Sequence, residues 1–292
     1  MIKLVKGCNL IMKDVILDTD LYNEIDDQFA LAYILKSKDK IKLNAVTLAP
    51  FTKENFDPNS SIDKSYEVAK NIFCLCGEQD DSIIYKGARN YFKDAQGKLN
   101  EAVDKIIEIV NRNKLTYILS IGCITNIALA IKKCPSIIKK IKIVWLGTNF
   151  LFMENNDFNF RQDVEAVKFV LKKKCDITII PTYPVSYSLM ISKYELDARI
   201  LNKNKLCNYF CQIFSDDFGK KINRRPIWDI SVVSFLINQE WFKVMSVSTP
   251  KITKNNHFKL TKHRHKIKFV QCLDSTKIYD DLFNKIGGIN GN

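Results

Sequence analysis

Val15-Ile16-Leu17-Asp18-Thr19-Asp20-Leu21-Tyr22-Asn23-Glu24-Ile25-Asp26-Asp27-Gln28-Phe29-Ala30-Leu31-Ala32-Tyr33-Ile34-Leu35 is the stretch that decides the fold. Val15 to Leu17 is a short apolar run that reads as a buried strand. From Asp26 to Leu35 the apolar side chains recur at i, i+3 and i+4 behind two acids, the pattern of a helix whose acidic first turn complements its dipole. Strand, acidic loop and helix form one unit.

The same alternation continues along the chain. Leu43 to Ala49 reads as a second strand ending at Pro50, and Ser61 to Phe73 as an amphipathic helix. Glu101 to Asn111 reads as a helix, Thr116 to Ile121 as a strand, Thr125 to Lys133 as a helix capped by Thr125, and Ile141 to Leu146 as a strand. Val164 to Lys173 predicts a helix and Ile177 to Ile180 a strand stopped by Pro181. A helix-rich stretch follows from Ser186 to about Gly219, then a helix over Ile230 to Ile237. Phe258 to Leu260 and Ile267 to Val270 suggest a small antiparallel edge hairpin before a terminal helix over Tyr279 to Ile286. The expectation is an α/β fold: a mainly parallel, doubly wound, Rossmann-like sheet flanked by helices, with a small antiparallel C-terminal extension. No repeat or linker interrupts residues 1–292, so one domain is expected.

Composition limits the function classes. With 46% hydrophobic and 11% aromatic residues, the 292-residue chain can bury a large core. The N-terminus lacks the apolar run of a secretory signal, and no stretch approaches the roughly 20 apolar residues needed to cross a bilayer, so a cytoplasmic protein without a membrane partner is expected. Nine cysteines, with no paired CxxC units, fit a reducing compartment. Cys74 and Cys76 are spaced as strand neighbours, Cys207 and Cys211 as i, i+4 neighbours on a helix. The net charge of +13 raises nucleic acid as a partner. The lysines are dispersed, however, and no aromatic-basic or helix-turn-helix signature accompanies them, so no specific nucleic acid is expected. Lys251 to Lys268 is the densest basic segment.

Asp18 to Asp27 places five acids in ten residues between a buried strand and a helix. Helix capping explains one or two of them. Five crowded carboxylates repel one another unless a cation or bound substrate hydroxyls compensate, and oxygen-only ligation selects a hard ion, Ca²⁺ or Mg²⁺. In doubly wound sheets the ligand crevice lies beyond the carboxyl ends of the strands, which is where these acids fall.

Val-Ile-Leu-Asp-Thr-Asp followed by Ile-Asp-Asp-Gln-Phe-Ala-Leu-Ala resembles the N-terminal fingerprint of the inosine-uridine-preferring nucleoside hydrolase family. Ile121-Gly122-Cys123-Ile124-Thr125-Asn126-Ile127-Ala128 is similar to its Gly-x-Leu-Thr-Asn-x-Ala element, Asp157-Phe158-Asn159 to its Glu-Phe-Asn element, and Trp228-Asp229 to its late His-Asp or Trp-Asp element. The resemblance implies a metal-dependent hydrolase that splits ribonucleosides into ribose and free base in purine or pyrimidine salvage, with Ca²⁺ as cofactor and a homodimer or homotetramer as assembly. It implies Asp20 as metal ligand and general base. Asp27, Asp229 and the Ile121 carbonyl would complete the metal shell, and Asp26, Asn159 and Asp157 would hold the ribose. Asp18 is read as a buried organiser of the loop.

Three departures from the family pattern stand out. The loop from Asp20 to Asp26 is two residues longer than the commonest Asp-Pro-Gly form, and Gly147-Thr148-Asn149 replaces the usual Gly-Gly. Trp228 stands where pyrimidine-active members often have histidine, so no imidazole acid is at hand for the leaving base; Trp228 would stack on that base, and Arg161, Tyr22 and Asn23 are the alternative polar groups beside it. The alternatives are a ribose- or nucleoside-binding protein that kept the metal site without turnover, and a Mg²⁺-dependent phosphohydrolase, whose phosphate-binding glycine loop is missing here.

Overall fold

The computed structural model describes residues 12–288 except 55, 96, 99, 218, 219 and 222; the side chains of 216, 217, 220 and 221 are also left aside. Cys8 and Gly219 lie outside the described residues. Six strands in chain order, β1 (Lys13–Thr19), β2 (Ile41–Leu48), β3 (Ile84–Lys86), β4 (Thr116–Ser120), β5 (Ile141–Leu146) and β6 (Asp176–Ile180), run parallel in one sheet. Lys266–Leu273 adds a parallel strand beside β6, and Phe242–Ser248 closes that edge antiparallel to it. The spatial order is Phe242–Ser248, Lys266–Leu273, β6, β5, β4, β1, β2, β3. The chain starts in the middle at β1, winds out to β3, then returns to β4 and winds the other way. The crevice between the carboxyl ends of β1 and β4 is therefore the topological switch point.

Alternate strand residues feed two cores. Val15 and Leu17 face one side with Leu119, Val144 and Leu146, while Ile16 faces the other with Ile118, Ile143 and Trp145. Helices α1 (Asp26–Leu35) and α2 (Pro58–Leu75) cover the first face together with Lys205–Ile213, Ile230–Ile237 and Ser275–Ile286. Helices α3 (Glu101–Arg112), α4 (Thr125–Lys133) and Val164–Lys172 cover the second. Burial on both faces is why the strands read as continuous apolar runs rather than as an alternation.

Several local expectations change. Ile267–Val270 does not pair with Phe258; it lies within Lys266–Leu273 of the main sheet, and Phe258–Lys259 pairs with Lys251–Ile252. The antiparallel extension is present, but its long strand is Phe242–Ser248, an edge strand whose lysine and serines mask its apolar pattern. Cys74 sits in the last turn of α2 and Cys76 at its C-cap, so the pair is helical, not strand neighbours. Thr125 begins α4 but does not cap it: its hydroxyl donates to Asp163 Oδ2 at 2.6 Å. Cys207 and Cys211 do share a helix, both buried among apolar residues. No helix of the described residues is long and apolar enough to cross a membrane.

Candidate active site

Asp18 is the last inward-facing acid of β1, and it serves the scaffold. Its Oδ1 accepts from Thr47 Oγ1 at 2.6 Å on β2 and from Asn126 Nδ2 at 2.9 Å on α4, which ties the three elements that meet at the switch point. Burial pushes its carboxyl up to about 7 against the opposing pull of these two bonds.

Past β1 the chain turns through the acidic loop, where Asn23 N–H donates to the Asp20 carbonyl at 2.7 Å. Asp20, Asp26, Asp27 and Asp229 are all buried, between 1% and 4% exposed. Capping accounts for none of them. The N-cap of α1 is Ile25, without a side-chain cap bond, and Asp229 occupies the N-cap of Ile230–Ile237 yet makes no cap bond either. Their carboxylates turn toward one another instead: Asp26, Asp27 and Asp229 each bring an oxygen to within 4.8 Å of the other two. Asp27 Oδ1 accepts from Thr19 Oγ1 at 2.5 Å. Asp20 faces Asp27, and both Asp20 oxygens are buried without a hydrogen-bond donor.

The electrostatics follow from that crowding. Burial first, and then the neighbouring carboxylates, hold Asp20 and Asp229 well above the ordinary carboxylate range. Asp26 is raised by burial and by Glu24 and Asp27, with Arg225 opposing. Burial pushes Asp27 up to about 7, moderated by the Thr19 bond. With every group ionised, no donor lies between Asp20 and Asp27, so either a shared proton or a cation must sit there. The donors are all oxygens, which fits a hard divalent ion.

Gly122, just after β4, makes room for this arrangement. A Cβ there would meet Asp20 Oδ1 at 3.2 Å and Ala49 Cβ at 3.1 Å. Beside it the Ile121 carbonyl accepts from Asn159 Nδ2 at 2.8 Å, and the same amide donates to the Leu146 carbonyl at 3.0 Å. A buried asparagine on the short helix Phe158–Gln162 thus joins the ends of β4 and β5.

A cleft of about 250 Å³ opens over the cluster, lined by Asp20, Asp26, Asp27, Ile121, Asp157, Asn159, Trp228 and Asp229. All eight residues singled out from sequence meet there. Asp157 lines the cleft and is also tied into its wall. Its Oδ1 accepts from the N–H groups of Thr148 and Phe160, each at 2.9 Å, and its Oδ2 from the Thr182 hydroxyl. Three donors leave the carboxylate one acceptor position on Oδ2. Thr148 sits in the left-handed region (φ 72°) where the family pattern has glycine, and its N–H bond to Asp157 holds it there.

The cleft also contains residues to which the sequence assigned no role: Asn156, Phe158, Thr182 and Tyr183, together with Glu24 of the acidic loop and Asn149 of the altered Gly147-Thr148-Asn149 segment. Trp228 lies beside Tyr187 (ring centroids 5.5 Å), which lies beside Tyr183 (5.4 Å), an aromatic run at the cleft. The Thr-Tyr-Pro sequence directly after β6 was the available signal, since it occupies the loop position from which chemistry is drawn in such sheets. Of the polar groups expected beside the leaving base, Asn23 lines the cleft. Tyr22 packs on Phe56, and Arg161 donates from Nε to the Asn156 carbonyl at 2.8 Å.

A comparison with curated protein sequences finds no match. Among solved structures the chain is similar to a plant nucleoside hydrolase (17% identity over 94% of this chain and 99% of that one, TM-score 0.74). It is also similar to an inosine-uridine preferring nucleoside hydrolase from Bacillus anthracis (17%, 94% and 99%, TM-score 0.73) and to a purine-preferring ribonucleoside hydrolase from Gardnerella vaginalis (18%, 95% and 99%, TM-score 0.72). At these identities the likeness speaks for the fold. The family model described as inosine-uridine preferring nucleoside hydrolase matches residues 15–280, nearly the whole chain. The protein that carries this acid-lined cleft therefore belongs to the inosine-uridine preferring nucleoside hydrolase family and is an N-glycosidic hydrolase.

Proposed function

We propose that the chain cleaves the N-glycosidic bond of ribonucleosides, giving ribose and free base, with Asp20 as general base and Ca²⁺ as cofactor. The observation that carries this reading is the Asp20 carboxylate: buried, without a donor on either oxygen, and facing Asp27, a member of the Asp26, Asp27 and Asp229 cluster. Asp20, Asp27, Asp229 and the Ile121 carbonyl would hold the ion, and Asp26 lies close enough to share it. When bound, Ca²⁺ supplies a lowered pKa to a coordinated water and a grip on the sugar diol.

The residues do the rest. Bond cleavage passes through an oxocarbenium-like sugar, so attack needs a water stripped of its proton on one face and an immobile ribose. Asp20 takes that proton on a side-chain oxygen. Asp26 accepts from a ribose hydroxyl, and Asn159, whose amide N–H groups are committed to two carbonyls, offers its Oδ1 to another. Asp157, held in place by Thr148, Phe160 and Thr182, grips the sugar beside Asn159 with its remaining acceptor position. Trp228 stacks on the base as it departs, with Tyr183 and Tyr187 beside it. Orientation of this kind supplies several kcal/mol of barrier reduction.

The same reading makes residues 1–292 one domain, supported by one sheet that draws strands from Lys13 to Leu273. It places the enzyme in a reducing cytoplasm, supported by eight free cysteines among the described residues, and allows a homodimer or homotetramer. The test is base release, followed by HPLC, from a panel of purine and pyrimidine ribonucleosides with Ca²⁺, beside an Asp20→Ala variant. Release that vanishes in the variant is expected; equal release from both proteins would remove Asp20 from the chemistry.

A further inference from the structure

The acidic loop is two residues longer than the family's commonest form, and it puts on the cleft wall two side chains that the reaction scheme leaves idle, Asn23 and Glu24. Asn23 is 7% exposed, and its Oδ1 is buried with no donor. Glu24 is more open, and one of its oxygens accepts from Arg225 Nη2 at 3.0 Å. Arg225 is only 6% exposed, and its Nε and Nη1 have no acceptor. A buried guanidinium with idle donors is costly, and the bond it does make fixes the Glu24 carboxylate. Arg225 lies on the short strand Arg224–Pro226, three residues before Trp228, so the pair ties the long loop to the segment that carries Trp228 and Asp229. Arg225 thereby ties Glu24 to the segment that carries Trp228, and both charges stand beside Asp26.

We propose that Asn23 and Glu24, with Arg225 as positioning residue, form the subsite for the leaving base and select bases that present a ring N–H and an amino group side by side, as guanine does. The proposal rests on the nucleoside hydrolase reading. Both side chains offer acceptors: the Asn23 amide oxygen lacks a donor, and an ionised carboxylate accepts only. A carboxylate meets two adjacent donors with two charge-assisted bonds, the strong bidentate geometry. Hypoxanthine offers the N–H without the amino group. Adenine sets a bare ring nitrogen beside its amino group and would face the carboxylate with a lone pair. Uracil flanks its single N–H with carbonyls. The expected order is guanosine, then inosine, then adenosine.

The experiment pairs two readouts on the wild type and on Glu24→Gln, an isosteric change at a partly exposed side chain that leaves the core untouched. The first is kcat/KM for guanosine, inosine and adenosine. The second is equilibrium dialysis of radiolabelled guanine, hypoxanthine and adenine, which needs no turnover. Glu24→Gln should cut kcat/KM for guanosine about 10- to 100-fold, the worth of a charge-assisted bond, and shift adenosine less than about 3-fold. Guanine retention should weaken in parallel. A wild type without guanine preference, or an equal loss for all three nucleosides, overturns the subsite while leaving the hydrolase reading intact. Glu24-dependent guanine retention without any hydrolysis would support the subsite and overturn the hydrolase reading.

Discussion

The cleft and the segment Lys251 to Lys268 are the two most charged regions of the molecule, and they differ in almost every physical respect. The segment carries six lysines, one arginine and all three histidines of the chain with no acid. Its six lysines are all exposed, and Arg264 spends its guanidinium on the carbonyls of Pro250 and Leu171. Solvated charges cost little and are screened within about 10 Å at ordinary ionic strength. The cleft holds fewer charges, but Asp20, Asp26, Asp27 and Asp229 are buried and of one sign, which is costly unless something binds. The +13 of the whole chain is thus a property of its surface, whereas its chemistry belongs to a handful of carboxylates of the opposite sign.

The largest effect that would break this contrast comes from Asp20. Asp20→Asn should lower nucleoside hydrolysis by about two to four orders of magnitude, the range of a general base. Measured without divalent cations, the same variant should melt a few degrees higher, because a buried like charge is gone. A lower melting temperature would mean that Asp20 holds the fold together, and the functional reading of the cluster would lose its physical basis.

Next in size is the response to calcium. A ligand that binds the folded state alone stabilises it by about 2.7 kcal/mol at a hundred times its dissociation constant. Saturating Ca²⁺ should raise the melting temperature of the wild type, and Asp229→Asn should shrink that shift. An undiminished shift in the variant would place the ion elsewhere.

The pH dependence sharpens the same point. Folding raises the Asp18 and Asp27 carboxyls from 3.8 to about 7, so between those values the folded protein holds protons that the unfolded chain has released. Their contribution is complete below about pH 4 and lost as pH rises through 7, the reverse of an ordinary salt-bridged acid. For Asp18 the shift corresponds to something on the order of 4 kcal/mol. Thermal melts of the chelated protein should therefore decline from pH 4 to 7, and Ca²⁺ should flatten the decline, since a cation replaces the protons. A chelated protein that grows steadily more stable across that window would contradict the buried, mutually repelling cluster.

How much of this was legible depends on what each residue's signal was. Helices with a full apolar stripe or a buried run, such as Asp26–Leu35 and Ile230–Ile237, show their bounds directly, because burial of the whole element dictates composition. β3 is three residues long, and Phe242–Ser248 lies at an edge with lysine and serine exposed, so neither leaves a strong apolar run. In the site, acids in a place where capping needs only one were legible by their excess. Asp157 was legible as an acid of the cleft, but a sequence does not show an acid's partners: three donors converge on it from Thr148, Phe160 and Thr182 only after folding. Tyr183 was overlooked because an aromatic in a loop is unremarkable until the switch point brings it to the cleft; Glu24 was counted among the five acids but given no role of its own.

The smallest expected effect tests the other half of the comparison. Replacing Lys254 and Lys262 together with glutamate changes the net charge by four, yet both side chains are exposed and neither lines the cleft. Exposed charges contribute little to stability, so the melting temperature should move by no more than about 1 °C. Nucleosides are uncharged, so steering by the surface field has nothing to act on, and kcat/KM should stay within about twofold at low and at physiological salt. A tenfold loss that salt erases would show that the true substrate carries phosphate, and the basic face would then belong to the site.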